Sequence, residues 1–100
     1  MDYHRSYLEA VFDRLDGPDG RSIRERAEMV TLKWDKVPGT DPYFGRRWRQ
    51  LLTMPATTMR LLVMADTHEG ERLRHTMPFP NVLTNTERAE LRKRAALVPA

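Results

Sequence analysis

Apolar residues recur every three or four positions along the first part of the chain. Between residues 1 and 15 they are separated by acids and arginines, which is the pattern of an amphipathic helix. The apolar positions of this stretch are Tyr3, Tyr7, Leu8, Val11, Phe12 and Leu15. The run "DGPDG" at residues 16–20 follows it and predicts a turn.

A second amphipathic helix is predicted after this turn. Ser22 and Glu25 have the spacing of a capping box, in which each side chain bonds the backbone N–H of the other residue. The apolar positions on one face of this helix are Ile23, Ala27, Val30, Trp34 and Val37. Because the connection between the two helices is short, we expect them to form an antiparallel hairpin.

The run "PYFGRRWRQLL" at residues 42–52 predicts a third helix. Asp41 is a favourable N-cap, and Pro42 is a favourable first helical residue. At about 100° per residue, the apolar side chains share one arc and most of the arginines lie outside it. The arc holds Phe44, Trp48, Leu51 and Leu52, whereas Arg46, Arg49 and Gln50 point away and Arg47 lies on its flank. We therefore expect the aromatic side chains to enter the core and the arginines to face solvent.

The run "MRLLVMA" at residues 59–65 has apolar residues on almost every side. Periodicity does not distinguish a buried helix from a buried strand here. No partner strand is evident elsewhere in the chain, and Met, Leu and Ala favour helix. The pattern predicts a central buried helix, with Leu62 and Val63 in the same core as Trp48 and Leu51.

The last third of the chain shows two more helix starts. Asp66 and Glu69 form a cap-like pair that opens a short helix. The run "MPFPNVL" at residues 77–83 cannot be helical through its two prolines, and we expect it to fill a gap between helices. Thr84 and Glu87 have capping-box spacing and predict the final helix.

Together these elements predict an all-α protein that forms a single domain over residues 1–100. The expected architecture is a compact bundle of five or six short helices. Its N-terminal helical hairpin packs on a C-terminal helical cluster centred on residues 59–65. A chain of this length buries roughly 60–70% of the surface that it exposes when unfolded, which leaves little room for a deep cavity.

Composition excludes several kinds of chemistry. The chain has no cysteine, so disulfides, thiolate catalysis and cysteine-ligated zinc are excluded. No apolar run reaches the roughly 18–20 residues of a membrane span, and the N-terminus lacks the pattern of a secretory signal. We therefore expect a cytoplasmic protein without a membrane partner. The net charge is +3, from 17 basic and 14 acidic residues, so charge matters mainly where one sign is concentrated.

One such concentration lies in the middle of the chain. Residues 42–65 contain no acid and carry four arginines. This cluster is either the solvated face of an amphipathic helix or a surface that binds acidic groups or phosphates. Trp and Arg also anchor many protein interfaces. The candidate binding residues are Tyr43, Arg46, Arg47, Arg49 and Arg60.

A helix-turn-helix over residues 57–77 is an alternative. Its second helix, "EGERLRHTM", would present Arg72, Arg74 and His75 to DNA. Two glutamates near the start of this helix would repel phosphates, however, and a glycine lies inside it. The competing interpretation is a pair of packed helices with polar outer faces.

The sequence indicates neither a metal site nor a catalytic residue. His68, Glu71 and His75 share one side of a helix, but the histidines are about 10 Å apart along its axis, too far to share one zinc ion. Ser6 and Ser22 have no identifiable acid–base partner. The glycines are scattered and form no phosphate-binding loop. We therefore expect no cofactor.

The run "WRQLL", followed by "LLVMADTHEGERLRHTMPFPNVLTNTER", resembles small helical proteins of unassigned function encoded by actinobacteria and their phages. The shared features are a Trp-Arg-x-Leu-Leu helix, an acid-and-Gly turn, a Leu-Arg pair, a Pro-Phe plug and a final Glu-Arg helix. They cover about residues 46–90. The resemblance implies a compact α domain and an accessory protein of a phage or mobile element.

These observations favour a non-catalytic protein-binding module. Its partner would be another protein or a second copy of the chain, bound through the arginine face of the third helix and the neighbouring aromatic residues. The alternative is a nucleic-acid-binding protein that uses the same arginines together with the basic C-terminal helix.

Overall fold

Between residues 3 and 97 the chain forms six α-helices. The structure is a computed structural model that describes these residues, and for Leu97 only the backbone. The helices are α1 (Tyr3–Leu15), α2 (Gly20–Trp34), α3 (Pro42–Leu51), α4 (Ala56–Val63), α5 (His68–His75) and α6 (Asn85–Leu97). No strand occurs within this part of the chain, so the predicted all-α fold is confirmed.

Helix α1 lies at the centre of the packing. It contacts α2, α4, α5 and α6, while α2 also packs against α3 and α4 against α5. The buried side chains of α1 follow the stripe predicted from the sequence, and they are Tyr7, Leu8, Val11, Phe12 and Leu15. The hairpin of α1 and α2 therefore packs on the later helices as predicted, although the centre of the bundle is α1 rather than residues 59–65.

Helix α4 is amphipathic rather than buried on all sides. Ala56, Met59 and Val63 are buried, but Leu61 is 74% exposed and Leu62 is 37% exposed. The expectation that Leu62 belongs to the core is wrong. Because α1 and α5 pack on α4 from one side, only residues three or four positions apart on that side reach the core.

Trp48 is fully buried, with 0% of its surface exposed. Its ring centre lies 5.4 Å from that of Phe79, at 89° between the ring planes. Its indole N–H donates to the Thr76 hydroxyl over 3.4 Å. Leu51 and Val63 are equally buried, so these core predictions are confirmed. Phe79, only 2% exposed, fills the space between helices that the proline-containing segment was expected to fill.

Two predicted helix starts are confirmed by their hydrogen bonds. The Asp41 carboxylate accepts the Tyr43 N–H at 2.9 Å at the start of α3. Before α6, the Thr84 N–H donates to the Glu87 carboxylate at 3.0 Å, and the Glu87 N–H donates to the Thr84 hydroxyl at 3.1 Å. The second arrangement is a complete capping box.

The predicted capping box at Ser22 is wrong, because α2 begins earlier. Its first residue is Gly20 and its N-cap is Asp19, which makes no side-chain capping bond. A Cβ atom on Gly20 would lie only 1.9 Å from the Leu15 carbonyl oxygen. Glycine therefore allows α2 to start directly against the end of α1, and Ser22 lies inside the helix.

The predicted start of α5 is also displaced. Thr67, not Asp66, is the N-cap, and its hydroxyl accepts the Gly70 N–H at 3.0 Å. The side chain of Glu69 is hydrogen-bonded to residues of α3 instead of capping its own helix.

The end of α2 also differs from the prediction. The helix ends at Trp34 and leaves Val37 56% exposed, so Val37 does not extend the inner face of α2.

Candidate protein-binding surface

Two of the predicted binding residues are tied to a single carboxylate. The Arg47 Nε and the Tyr43 hydroxyl both donate to Glu69 Oε1, at 2.7 and 2.9 Å. The hydrogen bond from Arg47, followed by that from Tyr43, lowers the pKa of Glu69. Donation to this carboxylate raises the pKa of Tyr43. The triad joins α3 to α5, so Arg47 and Tyr43 have a structural role.

Arg49 and Arg60 are also paired with acids. Arg49 Nη2 lies 2.9 Å from Asp35 Oδ2, and its Nη1 donates to the Thr31 hydroxyl at 3.2 Å. Only 23% of the Arg49 side chain is exposed, so the expectation that it points into solvent is wrong. Arg60 Nη2 lies 2.7 Å from Glu9 Oε2. The stretch lacks acids in sequence, but α1, α5 and the end of α2 bring carboxylates to it.

Arg46 is the one arginine of the acid-free stretch, residues 42–65, whose side chain has no acidic partner among the described residues. It is exposed, and within residues 3–97 its side chain makes no ion pair or hydrogen bond. It borders a surface depression of about 270 Å³ next to Tyr43, which is 48% exposed. The face of α3 therefore offers one unpaired guanidinium beside a phenol ring, rather than the array of cations that the sequence predicts.

Arg74 is buried, in contrast to the outward position required by a helix-turn-helix. It is 7% exposed, and its Nη1 donates to the carbonyl oxygens of Val63 and Ala65 at 2.8 and 2.9 Å. The guanidinium of the neighbouring Arg72 lies over the Phe44 ring, 5.2 Å from its centre. Helix α5 therefore does not present the set of basic side chains that a DNA-reading helix would need.

An arginine of α2 also bonds backbone carbonyl groups of another part of the fold. Arg24 Nη1 donates to the carbonyl oxygens of Leu52 and Met54, at 2.7 and 2.8 Å, just beyond the end of α3. Terminal carbonyl groups of a helix lack partners within the helix, and a cation there also interacts favourably with the helix dipole. Much of the arginine content thus serves to join helices to one another.

The histidines do not form a metal centre with the acids around them. Both His68 and His75 are exposed. Within the described part of the chain, no three side chains of the types His, Asp and Glu are grouped so that they could hold a metal ion. The nearest aromatic neighbour of His75 is His4 of α1, with ring centres 5.2 Å apart.

A surface groove that the sequence interpretation missed runs along α2. Its first part, about 270 Å³, separates α2 from residues 78–82, and its second part, about 430 Å³, continues towards the N-terminus of α1. We call it the α2 groove. Its α2 wall consists of Arg26, Met29, Val30, Lys33 and Trp34, and its far end consists of Tyr3, His4, Tyr7 and Arg88.

The wall opposite α2 is held in place by side chains of α1. The Tyr7 hydroxyl donates to the Phe79 carbonyl oxygen, and Arg14 Nη1 donates to that of Val82 at 3.0 Å. Between these anchors, Asn81 turns the chain with φ of 59°, a left-handed conformation that asparagine tolerates. The groove is therefore bounded by two fixed walls, a helix and an anchored turn.

The α2 groove combines apolar surface with positive charge. Met29 is 57% exposed, and Val30 is half-buried without belonging to the apolar packing of the core. Arg26 and Lys33 stand two turns apart on α2 and make no ion pair within residues 3–97. Arg88 and a histidine lie at the far end, and no Asp or Glu of the described chain lines the groove. This surface suits a ligand that is both apolar and acidic.

The α2 wall of the groove could have been predicted from the sequence. Arg26, Met29, Val30 and Lys33 have the i, i+3, i+4, i+7 spacing of one helix face. Their shared face is therefore predictable, but their neighbour across the groove, segment 78–82, lies far away in sequence. Only the tertiary structure places the two walls side by side.

Comparison of the chain with protein-family models, with curated proteins and with solved structures gives no match. The resemblance to helical proteins of actinobacteria and their phages therefore stays a prediction. Among the helices of residues 3–97, none combines the length and the apolar character needed to cross a membrane.

Proposed function

We propose that this chain is a non-catalytic protein-binding module that holds an acidic surface of a partner protein in the α2 groove. The observation that carries the proposal is the groove itself, where exposed apolar side chains lie between unpaired cations. Interfaces commonly combine an apolar centre with a charged rim that steers and selects the partner. An accessory or regulatory role in a phage or mobile element is part of this proposal and rests on the resemblance alone.

The ion pairing of the arginines in the acid-free stretch, residues 42–65, favours a protein partner over nucleic acid. Nucleic-acid binding depends on cations that neutralise phosphates and so release the counterions condensed on the nucleic acid. Three of the four arginines in the acid-free stretch already contact carboxylates. The α2 groove offers only a few cations, set beside the exposed Met29, the half-buried Val30 and other apolar residues. Desolvation of that apolar surface contributes to binding a protein, whereas a phosphate backbone gains little from it.

Site-specific photo-crosslinking tests the proposal. A photo-reactive amino acid is placed at Met29, on the rim of the groove, and in a second protein at Leu61, which is 74% exposed on α4. Both proteins are irradiated in lysate of the encoding organism, with and without nuclease. We expect a nuclease-resistant protein adduct at position 29 and none at position 61.

Charge-reversed variants supply the matched control. Arg26→Glu should remove the adduct at position 29, whereas Arg46→Glu, which changes the charge equally on α3, should leave it intact. Adducts that form only at position 61, or that survive Arg26→Glu, would place the binding surface elsewhere. Adducts that consist of nuclease-sensitive nucleic acid would favour the alternative function. Binding of double-stranded DNA of random sequence with an affinity that falls steeply as salt increases would support the same alternative.

A further inference from the structure

We infer that the segment bound in the α2 groove is an amphipathic α-helix, with apolar side chains directed into the groove and carboxylates directed at Arg26 and Lys33. This inference rests on the proposed protein-binding function and specifies the conformation and charge of the ligand. It follows from the backbone groups that line the groove, from its length and from the placement of its charges.

The walls of the groove offer no continuous row of main-chain partners. On the α2 side, the backbone groups bond within the helix. On the opposite side, Pro78 and Pro80 have no N–H, and the carbonyl oxygens of Phe79 and Val82 already accept bonds from Tyr7 and Arg14. Residues 78–82 form no β-strand, and the positive φ of Asn81 interrupts any extended edge. An extended peptide could not pair with them along its length and would leave much of its backbone unpaired, which costs free energy. A helix satisfies its own backbone and needs only side-chain contacts.

The length of the groove fits about two helical turns. From Arg26 to Trp34 the α2 wall extends about 12 Å, at about 1.5 Å per residue. A bound helix can place two or three apolar side chains over Val30 and the exposed Pro80 along that length, at i, i+3 or i+4, and i+7. This is the usual register of a helix bound in a groove.

The charges select an acidic helix. Arg26 and Lys33 rise on the same wall, about 10 Å apart along the α2 axis. Carboxylates about two turns apart on the flank of the bound helix would meet both cations. Because no acid of the described chain lines the groove, a basic helix would find no counter-charge there, and repulsion from the cations would disfavour it.

Two displayed peptide libraries test this inference on the intact protein. Both contain peptides of about 14 residues, roughly four turns when helical, with the same number of glutamates and with apolar positions randomised among Leu, Ile, Phe, Trp and Met. One library has alanines at the fixed positions and can form a continuous helix when bound. The other has two of these alanines replaced by proline and cannot form one. Selected peptides are then labelled, and their dissociation constants are measured by fluorescence anisotropy.

We expect binders from the helical library only. Replacing a central alanine of a selected peptide by proline, or its glutamates by glutamine, should weaken binding at least about tenfold. Val30→Asp and Arg26→Glu should weaken it to a similar degree. The matched controls are Leu32→Asp, which lies on α2 but outside the groove, and Arg46→Glu on α3. Both should bind within about twofold of the unmodified protein, and circular dichroism verifies that all four variants are folded.

Other outcomes separate this inference from the proposed function. Groove-dependent binders that come from the proline library, or that bind equally well after proline substitution, would overturn the helical conformation while leaving protein binding intact. If neither library yields a binder sensitive to Val30→Asp, the inferred helix is wrong. The crosslinking at position 29 then decides independently whether the protein-binding function stands.

Discussion

The sharpest stability prediction concerns the buried Arg74. Its Nη1 donates two hydrogen bonds, at 2.8 and 2.9 Å, to carbonyl oxygens at the end of α4, and the residue is 7% exposed. Hydrogen bonds to charged groups contribute about 1.5–3 kcal/mol each. Because one nitrogen makes both bonds, we expect Arg74→Ala to lower the free energy of unfolding by about 2–4 kcal/mol. That is a large part of the roughly 5–15 kcal/mol typical of a domain.

Urea unfolding followed by far-UV circular dichroism measures this loss. The corresponding fall in melting temperature is about 10–25 °C, because 1 kcal/mol shifts a domain of this size by about 4–8 °C. Arg72→Ala is the matched control on the same helix. Arg72 is exposed, and its guanidinium lies over the Phe44 ring rather than on carbonyl groups, so its loss should cost at most about 1 kcal/mol.

Gly70, which lies on the same helix, provides an independent test of how closely α5 packs against the end of α4. A Cβ on Gly70 would lie 2.4 Å from the Ala65 carbonyl oxygen and 3.1 Å from Arg74 Nη1. Gly70→Ala should therefore destabilise the protein, although alanine is normally the better helix former by about 1 kcal/mol. A cost of Arg74→Ala below about 0.5 kcal/mol, the range of ordinary surface changes, would contradict the assigned hydrogen bonds, and so would a cost no larger than that of Arg72→Ala.

Three further predictions follow from burial, ion pairing and titration. Trp48→Ala should cost about 3–5 kcal/mol in urea unfolding, and the more exposed Leu62→Ala should cost less than about 2 kcal/mol. Arg46→Ala should stay within about 0.5 kcal/mol of the unmodified protein, whereas Arg49→Ala should cost about 1–2 kcal/mol; equal costs would contradict the assigned ion pair. The folded-state pKa of Glu69 is lowered from its ordinary value of 4.5, so its contribution to stability is complete above that pH and is lost as the pH falls through the lowered pKa. Glu69→Gln should flatten the acid side of the stability profile measured by urea unfolding, and an unchanged profile would argue against the triad.

The sequence by itself determined the features that depend on neighbours within about one helical turn. The stripe of α1, the N-cap at Asp41 and the capping box of Thr84 with Glu87 are all of this kind, because their partners lie at most four residues away. The burial of Trp48 was likewise predictable, since it shares a helix face with leucines. These local patterns suffice to predict an all-α chain and the starts of α3 and α6.

The tertiary structure alone decided which side chains are available for binding. Arg47 meets its carboxylate 22 residues away and Arg60 meets Glu9 51 residues away, so a stretch without acids in sequence is not an uncompensated surface in the fold. The burial of Arg74 depends on where α4 ends, and the α2 groove depends on a turn that α1 holds opposite α2. A side chain's solvation and charge environment are set by every element packed around it, and periodicity describes only the element to which it belongs.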